Sequence, residues 1–385
     1  MYFLLSDAAF SVKIGVGDEM KVIVVGGGPS GIFSAIAIRK FHPDFEVLLL
    51  EKDADIASRL KVAGNGRCNF THRELNKEAY SSPFVLPYLV YSKEILSFLE
   101  ENGFGYYFDE EGRGYPVSES AQSLIRTLKD LLAFYRVETR TSCAVDSIEI
   151  GEKLRINGIE CDRLILAVGG ISAQNERLNY NRIIDQIGVK RTALSPSLTP
   201  ISTSSFPLTW ENKRVKCQAS LYYRNALLHR ERGEVLFKKN GLSGIVIFNL
   251  SAILARKHLT RYDDYSISLN LLPDFSDEEV RRMIRRNPKL DHIFIPPLAE
   301  YLTKSSDPFE SIRNLKFSVR GLYDFGHSQV TSGGVDLNQL CGDLSLKKEP
   351  RIYTIGEMID IDGLSGGYNI GLCLCEGWAV GKEIK

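Results

Sequence analysis

The chain has 385 residues, a length that suits two or three domains. Of these residues 44% are hydrophobic and 25% charged, which is the composition of an ordinary soluble protein. Its 48 basic and 48 acidic residues cancel, which argues against a global attraction to nucleic acid or to an anionic membrane. The seven cysteines are scattered without a CxxC pair, so the sequence indicates neither a disulfide framework nor a zinc site. We therefore predict a cytoplasmic protein without a metal.

The first 19 residues precede the pattern that organises the rest of the chain. MYFLLSDAAF has no basic n-region and is interrupted by Asp7, so it is a poor signal peptide. We expect either that Met20 is the biological start or that residues 1–19 are a disordered extension. No apolar run in the sequence approaches the roughly 20 residues that span a bilayer.

The next stretch has the order of a dinucleotide site. An apolar strand at Lys21–Val25 leads into GGGPSG at 26–31 and a helix, and a second strand at Glu46–Leu50 ends on Glu51. In such a unit the glycines permit a tight turn and close approach to a pyrophosphate, the helix N-terminus faces the phosphates, and the acid binds a ribose hydroxyl. The sequence therefore predicts a Rossmann-type nucleotide-binding domain.

Helical and strand patterns alternate in the rest of this first region. They are a helix at Ser92–Gly103, a hairpin at Tyr106–Pro116, a helix opened by Ser118, short β-type runs between Val137 and Cys161, and a buried strand that enters a glycine turn at Arg163–Gly170.

From about Arg191 the character of the sequence changes. A serine- and threonine-rich stretch at Ser195–Ser205 indicates a linker, and Val215–Tyr223 and Tyr265–Leu271 alternate like half-buried antiparallel strands. With one helix at about Phe248–Leu259, this pattern predicts a separate β domain.

Two helix starts mark a small insert within that β region. Ser276–Glu279 forms a capping box, and Asp307–Glu310 places proline at the first helical position. We predict a helical insert at about 274–315, followed by a return to strand at Asn314–Tyr323.

The last part, Arg351–Lys385, is again strand, glycine turn and helix, and we infer that it completes the first domain. A strand that ends in Gly356-Glu357 offers a carboxylate to ribitol or ribose hydroxyls, and the helix after Gly366-Gly367 directs its N–H groups at a polarised carbonyl. A glycine-rich capped loop without a ligand is the alternative. Two glycine-rich strand ends at opposite ends of the chain suit FAD better than NAD.

Six segments together resemble one family over nearly all of 20–385. They are GGGPSG…LLLEK, VAGNGRCN, PSLTPI, GEVLFKKNGLSG, VTSGGVDL and IGEMIDIDGLSGGYN. The chain resembles the BaiN-type FAD-dependent oxidoreductases, also labelled the aminoacetone oxidase family. The resemblance implies an α/β fold: a Rossmann-type FAD-binding domain with an inserted antiparallel β-barrel domain and a small helical insert.

The resemblance, read with the pattern above, gives domain boundaries and a set of cofactor residues. The domains are the FAD-binding domain at 20–190 and 331–385, the barrel at 191–273 and 316–330, and the helical insert at 274–315. The FAD contacts implied are Gly26, Gly28, Pro29, Ser30 and Gly31 at the pyrophosphate; Glu51 and Lys52 at the adenosine ribose; Asn65, Gly66, Arg67, Cys68 and Asn69 along the cofactor; Val145, Ala167 and Gly169 near the adenine and beneath it; and Gly356, Glu357, Gly367, Tyr368 and Asn369 from the ribitol to the flavin ring.

Two segments depart from the family pattern. Residues 174–186 lack the usual glycines, and 343–349 read DLSLKKE where a Thr-Met-Glu-Ser-Lys element is usual. Both changed segments are expected near the substrate side of the cofactor. The resemblance therefore implies that the chain binds FAD but does not identify a substrate, and the catalytic residues stay unassigned.

Single reactive residues each have a structural alternative. Cys68 could be redox-active but is better explained as a buried small side chain, and Arg67 could bind phosphate or form an ion pair. His327 could be an acid or base but is better explained as a solvated loop residue. Cys373 and Cys375 are expected in the core.

The basic run at 281–286 raises the question of RNA. The i,i+4 pairs Asp277–Arg281 and Glu278–Arg282 explain it as a salt-bridged helix, so we expect no nucleic-acid partner.

The sequence thus predicts an FAD-dependent oxidoreductase that moves hydride between a small organic substrate and flavin. Only one GxGxxG is present, so NAD(P)H would dock transiently as electron donor. The alternatives are a flavin-dependent RNA-modifying protein and a flavin-binding protein without turnover.

Overall fold

The structure is a computed structural model that describes residues 20–172 and 177–385. The predictions about residues 1–19 therefore lie outside the described residues, as does the beginning of the altered segment at 174–186.

The strands of the described chain, in order, are β1 (Lys21–Val25), β2 (Glu46–Leu50), β3 (Thr71–His72), β4 (Tyr106–Phe108), β5 (Arg113–Pro116), β6 (Glu138–Arg140), β7 (Ile148–Ile150), β8 (Leu154–Ile156), β9 (Ile159–Cys161), β10 (Arg163–Leu166), β11 (Ser195–Ser197), β12 (Ile201–Thr203), β13 (Arg214–Tyr223), β14 (Ala226–Lys238), β15 (Gly241–Ser243), β16 (Tyr265–Asn270), β17 (Leu315–Leu322), β18 (Val330–Ser332), β19 (Ser345–Leu346) and β20 (Glu349–Thr354).

The α-helices are α1 (Pro29–Phe41), α2 (Leu86–Leu89), α3 (Ser92–Glu101), α4 (Ala121–Phe134), α5 (Arg177–Ile187), α6 (Ile245–Ala255), α7 (Asp277–Arg286), α8 (Pro296–Thr303), α9 (Pro308–Arg313) and α10 (Tyr368–Glu383). None of the helices within the described ranges is long and apolar enough to cross a membrane.

The first core is a six-stranded sheet with the strand order β19-β20-β10-β1-β2-β6. All pairings are parallel except that of the edge strand β19 with β20. The continuous apolar runs of β1 and β2 are buried, as expected for parallel strands covered on both faces. Because β20 pairs with β10, the C-terminal segment completes the sheet that the N-terminal segment begins.

Helices α1 and α10 pack against each other through glycine. A Cβ on Gly377 would overlap the carbonyl oxygen of Ser30, and a Cβ on Gly381 would lie 2.5 Å from that of Ser34. The two helices can therefore approach closely only because these positions of α10 lack a side chain.

The second core lies inside a closed antiparallel barrel with the strand order β12-β15-β14-β13-β16-β17. The predicted fold class, a Rossmann-type domain with an antiparallel barrel, is confirmed. The prediction of a linker at 195–205 was wrong, because β11 and β12 lie there. Strands β14 and β15 were not predicted.

The barrel helix begins three residues earlier than predicted. Its N-cap is Gly244, with φ of +108°, and a Cβ there would lie 2.5 Å from the carbonyl oxygen of Glu234. The helix ends at Ala255 rather than near Leu259. Its sequence, IVIFNLSAILA, is predominantly apolar, which agrees with the burial of eight of its eleven residues.

The helical insert contains α7, α8 and α9, of which α8 was not predicted. The capping box of Ser276 and Glu279 is present, and α9 begins with Pro308 as predicted. The predicted helical ion pairs were wrong in their partners. Asp277 instead lies 2.8 Å from Arg313, and the Arg281 guanidinium lies 3.6 Å from the centre of the Phe309 ring.

The barrel joins the first core at a buried carboxylate. Asp362 is fully buried and accepts hydrogen bonds from Ser197 (3.0 Å), Ser332 (3.1 Å) and Arg256 (3.3 Å). The serines lie on β11 and β18, which pair with each other where the chain enters and leaves the barrel. The buried charge is therefore held by both connections and by the barrel helix α6.

We expect Gly377→Ala to lower the free energy of unfolding by about 1–3 kcal/mol, because the added methyl group forces α1 and α10 apart. Urea denaturation measures this change. Gly321→Ala on β17, where a Cβ meets nothing within 4 Å, is the control and should stay within about 0.5 kcal/mol of wild type. Equal losses in the two variants would contradict the packing argument.

Candidate functional site

The glycines before α1 have different roles. A Cβ on Gly26 (φ +109°) would overlap the carbonyl oxygen of Ala167, and a Cβ on Gly31 would overlap that of Gly26. A Cβ on Gly28 meets nothing within 4 Å, and this N-cap residue makes no side-chain capping bond to the helix. The fold itself therefore requires Gly26 and Gly31, whereas at Gly28 the N-terminus of α1 is open to an outside group.

Glu51 is fixed against this turn. It is 8% exposed, and its Oε2 accepts a 2.6 Å hydrogen bond from the N–H of Gly27 while Oε1 accepts one from Asp53 (2.8 Å). Lys52 lies 2.6 Å from Asp53, and this contact lowers the pKa of the Asp53 carboxyl. The predicted ribose acid thus lies at the carboxyl end of β2, beside the glycine turn.

The predicted adenine region lies beside Glu51. The N–H of Cys143 donates to the carbonyl of Glu51 (2.8 Å), which brings the segment containing Val145 to this edge. The Val145 side chain is buried, and its carbonyl accepts a hydrogen bond from Arg182 (3.0 Å), so only its backbone is suited to the predicted contact.

The two ends of the chain meet at two points. A Cβ on Gly356 would lie 2.5 Å from the Ser30 hydroxyl, and a Cβ on Gly367 would overlap the carbonyl oxygen of Thr71 and lie 3.0 Å from Asn69 Nδ2. The structure therefore brings together the N-terminal and C-terminal halves of the predicted cofactor set.

The start of α10 resembles that of α1. Its N-cap Gly367 has φ of +95° and makes no side-chain capping bond to the helix. Asn369 instead supports the preceding loop, since it accepts from the N–H of Gly363 (2.7 Å) and donates to its carbonyl (2.9 Å). Tyr368 stacks on His72, with 4.6 Å between ring centroids, a partner that the sequence interpretation missed.

The GNGRCN loop contains an unusual run of left-handed residues. Gly64, Asn65, Gly66 and Cys68 all have φ between +56° and +85°. Cys68 is fully buried, and this burial raises the pKa of its thiol to about 12. It therefore lacks the thiolate character of a reactive cysteine, which supports the structural interpretation.

The neighbouring polar side chains of this loop have protein partners. Arg67 lies 2.7 Å from Glu119, and its guanidinium lies 4.5 Å from the centre of the Tyr115 ring. Asn69 donates to the carbonyl groups of Thr71 (3.1 Å) and Gly114 (3.0 Å). Both contacts hold the loop, so the structure supports the ion-pair alternative for Arg67.

Arg59 is a candidate residue that the sequence analysis missed. Its Nη2 donates to the carbonyl of Gly170 (3.2 Å), and its Nη1 lies 3.9 Å from Glu357 Oε2. A Cβ on Gly169 would lie 3.6 Å from the same Nη1, which is buried and has no hydrogen-bond acceptor among the described residues. The sequence signal that could have revealed Arg59 was a positively charged residue between the end of β2 and the GNGRCN loop.

Glu357 connects the last strand to the barrel exit. Its Oε1 accepts hydrogen bonds from the N–H of Thr331 (2.7 Å) and from the Ser172 hydroxyl (3.2 Å). Oε2 faces Arg59, so the predicted ribitol acid and this cation lie side by side.

These residues fit a dinucleotide such as FAD. The uncapped N-terminus of α1, the open space at Gly28 and the unsatisfied Nη1 of Arg59 suit an anionic diphosphate, and the uncapped N-terminus of α10 suits a ring that takes up negative charge. The site lies outside the carboxyl ends of β1 and β10, where open α/β sheets bind ligands. A cavity of about 400 Å³ at the amino ends of β1 and β2 lies at the opposite edge and contains none of the predicted cofactor residues.

His327 is the remaining acid–base candidate from the sequence. His327 is exposed and lies 2.7 Å from Asp324, as expected of a solvated loop histidine. Within 20–172 and 177–385, no group of histidine, cysteine and acidic residues is arranged to hold a metal ion.

Glu376 is a buried carboxyl beneath the site. Its Oε2 accepts a 2.6 Å hydrogen bond from the N–H of Gly356, and its Oε1 has no partner among the described residues. Burial raises the pKa of Glu376 to about 8, from an ordinary value of 4.5. At neutral pH the group is therefore mostly protonated, and the turn before Glu357 rests on an uncharged carboxyl.

Comparison with known proteins finds relatives along almost the whole chain. A family model described as "HI0933-like protein Rossmann domain" matches residues 20–383. The 3-dehydro-bile acid delta(4,6)-reductase of Clostridium scindens is 25% identical over 407 residues, which cover 94% of this chain and 98% of that protein. A ribosomal RNA dihydrouridine synthase of Escherichia coli is 25% identical over 410 residues, which cover 95% of this chain and 98% of that protein.

Solved structures share the fold at low identity. A quinol fumarate reductase from E. coli has a TM-score of 0.50 at 14% identity and covers 95% of this chain and 69% of its own. A flavocytochrome c3 fumarate reductase in an open conformation has a TM-score of 0.51 at 13% identity, with coverages of 95% and 78%.

We expect the stability of the wild type to fall with rising pH between about 4.5 and 8 through Glu376, because in that window the folded protein holds a proton that the unfolded chain releases. The slope from this group is at most about 1.4 kcal/mol per pH unit, and it ends once the folded group has ionised. Glu376→Gln keeps an acceptor for Gly356 and removes the slope. Urea denaturation at a series of pH values measures the difference.

The matched control for this prediction is Glu101→Gln, at the exposed end of α3, which should follow the wild-type pH dependence. A Glu376→Gln curve parallel to that of the wild type over the same range would disprove the assignment.

Proposed function

The chain belongs to the HI0933-like Rossmann family, as its resemblance predicted, and on that premise we propose that it moves hydride between a small organic substrate and FAD. It is an FAD-dependent oxidoreductase. The observation that carries the proposal is that α1 and α10 lie side by side with uncapped N-termini: α10 begins at Tyr368, nine residues before Gly377, which packs against Ser30 at the start of α1. A cofactor that spans both needs a diphosphate at one end and an electron-accepting ring at the other, as FAD has.

Each half of the site has a separate task toward the cofactor. The N–H groups at the start of α1 and the guanidinium of Arg59 neutralise the diphosphate, and Glu51 and Glu357 accept hydrogen bonds from hydroxyl groups. The N-terminus of α10, held in place by Asn369, stabilises negative charge on the ring. Bound FAD supplies the hydride chemistry.

We also propose a reduced nicotinamide as electron donor and the cytoplasm as location. The N-terminal GxGxxG segment is assigned to FAD, so the donor binds transiently over the ring rather than in a domain of its own. A relative named as a reductase supports this direction of electron flow. The seven cysteines are all free thiols, which suits a reducing compartment.

Modification of RNA is the second candidate, favoured by the relative named as a ribosomal RNA dihydrouridine synthase. The charge of the chain gives this candidate little support. The 48 basic and 48 acidic residues balance, and Arg281 of the basic helix α7 packs on Phe309.

We expect the oxidised protein to contain flavin that NADPH or NADH reduces in a stopped-flow experiment. Mixing the reduced protein with 2-cyclohexenone, androst-4-ene-3,17-dione or purified ribosomal RNA then separates the candidates. Reoxidation by an enone supports the small-molecule proposal, and reoxidation by RNA alone supports the second candidate. Reduction without reoxidation by any of them would indicate a flavin-binding protein without turnover.

We expect Arg59→Met to weaken FAD binding by about 10- to 100-fold, because a hydrogen bond from a charged donor contributes about 1.5–3 kcal/mol. Titration of the apoprotein with FAD, followed by flavin fluorescence, measures the affinity. Lys61→Met is the control, since Lys61 lies on the same segment and contacts the exposed side of Asp55 at 3.1 Å. Equal affinities of the Arg59 and Lys61 variants would remove Arg59 from the cofactor set.

A further inference from the structure

Strand β6 is a free edge of the six-stranded sheet. Among the described residues it pairs only with β2, in parallel, and its three residues, Glu138–Arg140, are all exposed. The N–H of Glu51 donates to the carbonyl of Arg140 (2.9 Å), so the backbone groups of Arg140 face β2. Because backbone groups alternate in direction along a strand, the N–H and carbonyl of Thr139 face away from the sheet, where they are free to pair with another strand.

The side chains on either side of Thr139 carry opposite charges. Glu138 Oε1 accepts a 2.8 Å hydrogen bond from Arg140 Nε, and the two side chains are 60% and 48% exposed. Since residues two positions apart on a strand point to the same face, one anion and one cation lie on one face of this edge, with Thr139 between them in the chain.

A second copy of this edge fits it in antiparallel orientation. About a twofold axis at Thr139, the two Thr139 residues exchange both N–H···O=C bonds, which is the hydrogen-bonded pair of an antiparallel ladder. Glu138 of each copy then lies directly opposite Arg140 of the other. Opposite charges at directly opposed positions attract, so the edge is complementary to itself.

Short, charged edge strands commonly prevent such pairing, and the signs of the charges decide between the two outcomes. Two cations or two anions at positions 138 and 140 would face like charges in a second copy and repel it. With one charge of each sign, the same geometry gives two attractive contacts. The charges on β6 therefore favour self-association over protection of the edge.

The surface beside β6 offers further area to a second copy. Phe134, the last residue of α4, is 73% exposed, and only residues 135–137 separate it from the strand. The cavity of about 400 Å³ at the amino ends of β1 and β2 borders the same edge and is lined in part by Arg136, Glu138 and Arg140. A stable interface needs apolar contact and a total area of roughly 1,000 Å² or more, which the strand alone does not supply.

We propose that two copies of this chain form a twofold-symmetric dimer by antiparallel pairing of their β6 strands, centred on Thr139. The two six-stranded sheets then join into one continuous sheet. The inference is independent of the proposed function, since none of the predicted cofactor residues lies on β6.

Sedimentation of the full chain over a range of concentrations tests this dimer. We expect the wild type to show a monomer–dimer equilibrium whose dissociation constant rises with added salt, because the charge contacts are exposed. Glu138→Arg and Arg140→Glu each place like charges opposite each other at both contacts, and each should raise the dissociation constant by about 10- to 100-fold. Both single variants should melt like the wild type, since the changed side chains are exposed.

Two combinations of these changes should restore the dimer. The double variant Glu138→Arg, Arg140→Glu exchanges the charges and again places opposite signs at both contacts. In an equal mixture of the two single variants, one chain carries two cations and the other two anions, so a heterodimer should form although each variant alone is largely monomeric. Recovery in the mixture depends on the proposed register, because only a centre at Thr139 places position 138 opposite position 140.

Arg214→Glu is the matched control, because Arg214 forms an equally exposed pair with Glu234 between two paired strands of the barrel, and it should keep the wild-type dissociation constant. A wild type that sediments as a monomer at every concentration would overturn the inference. A dimer that resists both single changes would place the contact elsewhere and overturn it as well. Dissociation of both single variants without recovery in either combination would contradict the twofold pairing at Thr139.

Discussion

The parallel pairing of β20 with β10 is the constraint on which the rest of the molecule depends. It places Gly356 against Ser30 and so brings the last strand end to the first glycine turn. Everything inserted between these strands must leave the sheet and return to the same edge. The short antiparallel pair of β11 and β18 meets this requirement, since it joins the entry and the exit of the barrel.

Local patterns predicted the parts of the fold that local chemistry determines. The strands Lys21–Val25 and Glu46–Leu50 have the predicted bounds, because both are unbroken apolar runs in a doubly covered sheet. The capping box at Ser276 likewise needs only its own side chains. The prediction of a linker at 195–205 failed because β12 is short and pairs with β15 and β17, which lie far away in the chain.

The sequence predicted site residues well where the backbone conformation requires glycine. It predicted them less well where a residue's role depends on contacts with distant parts of the chain. Glycine patterns located the two helix starts, yet they did not show that Gly26 serves packing while Gly28 is open to a ligand. Arg59 was missed because its partners, Gly170 and Glu357, lie in the turns that follow β10 and β20, far away in the chain. The ion pairs on α7 were wrong for a related reason: Asp277 contacts Arg313 of a neighbouring helix, which helical spacing cannot reveal.

The buried Asp362 limits how the protein can admit a substrate. Swinging the barrel away from the sheet would separate this carboxylate from Ser197 and Arg256, and breaking a buried charged contact costs about 3–5 kcal/mol. At that cost an open form would be present in roughly one molecule in a hundred to one in several thousand. We therefore expect the substrate to enter through local movement of side chains and loops at the mouth of the site. The two cores should keep the same relative position throughout turnover.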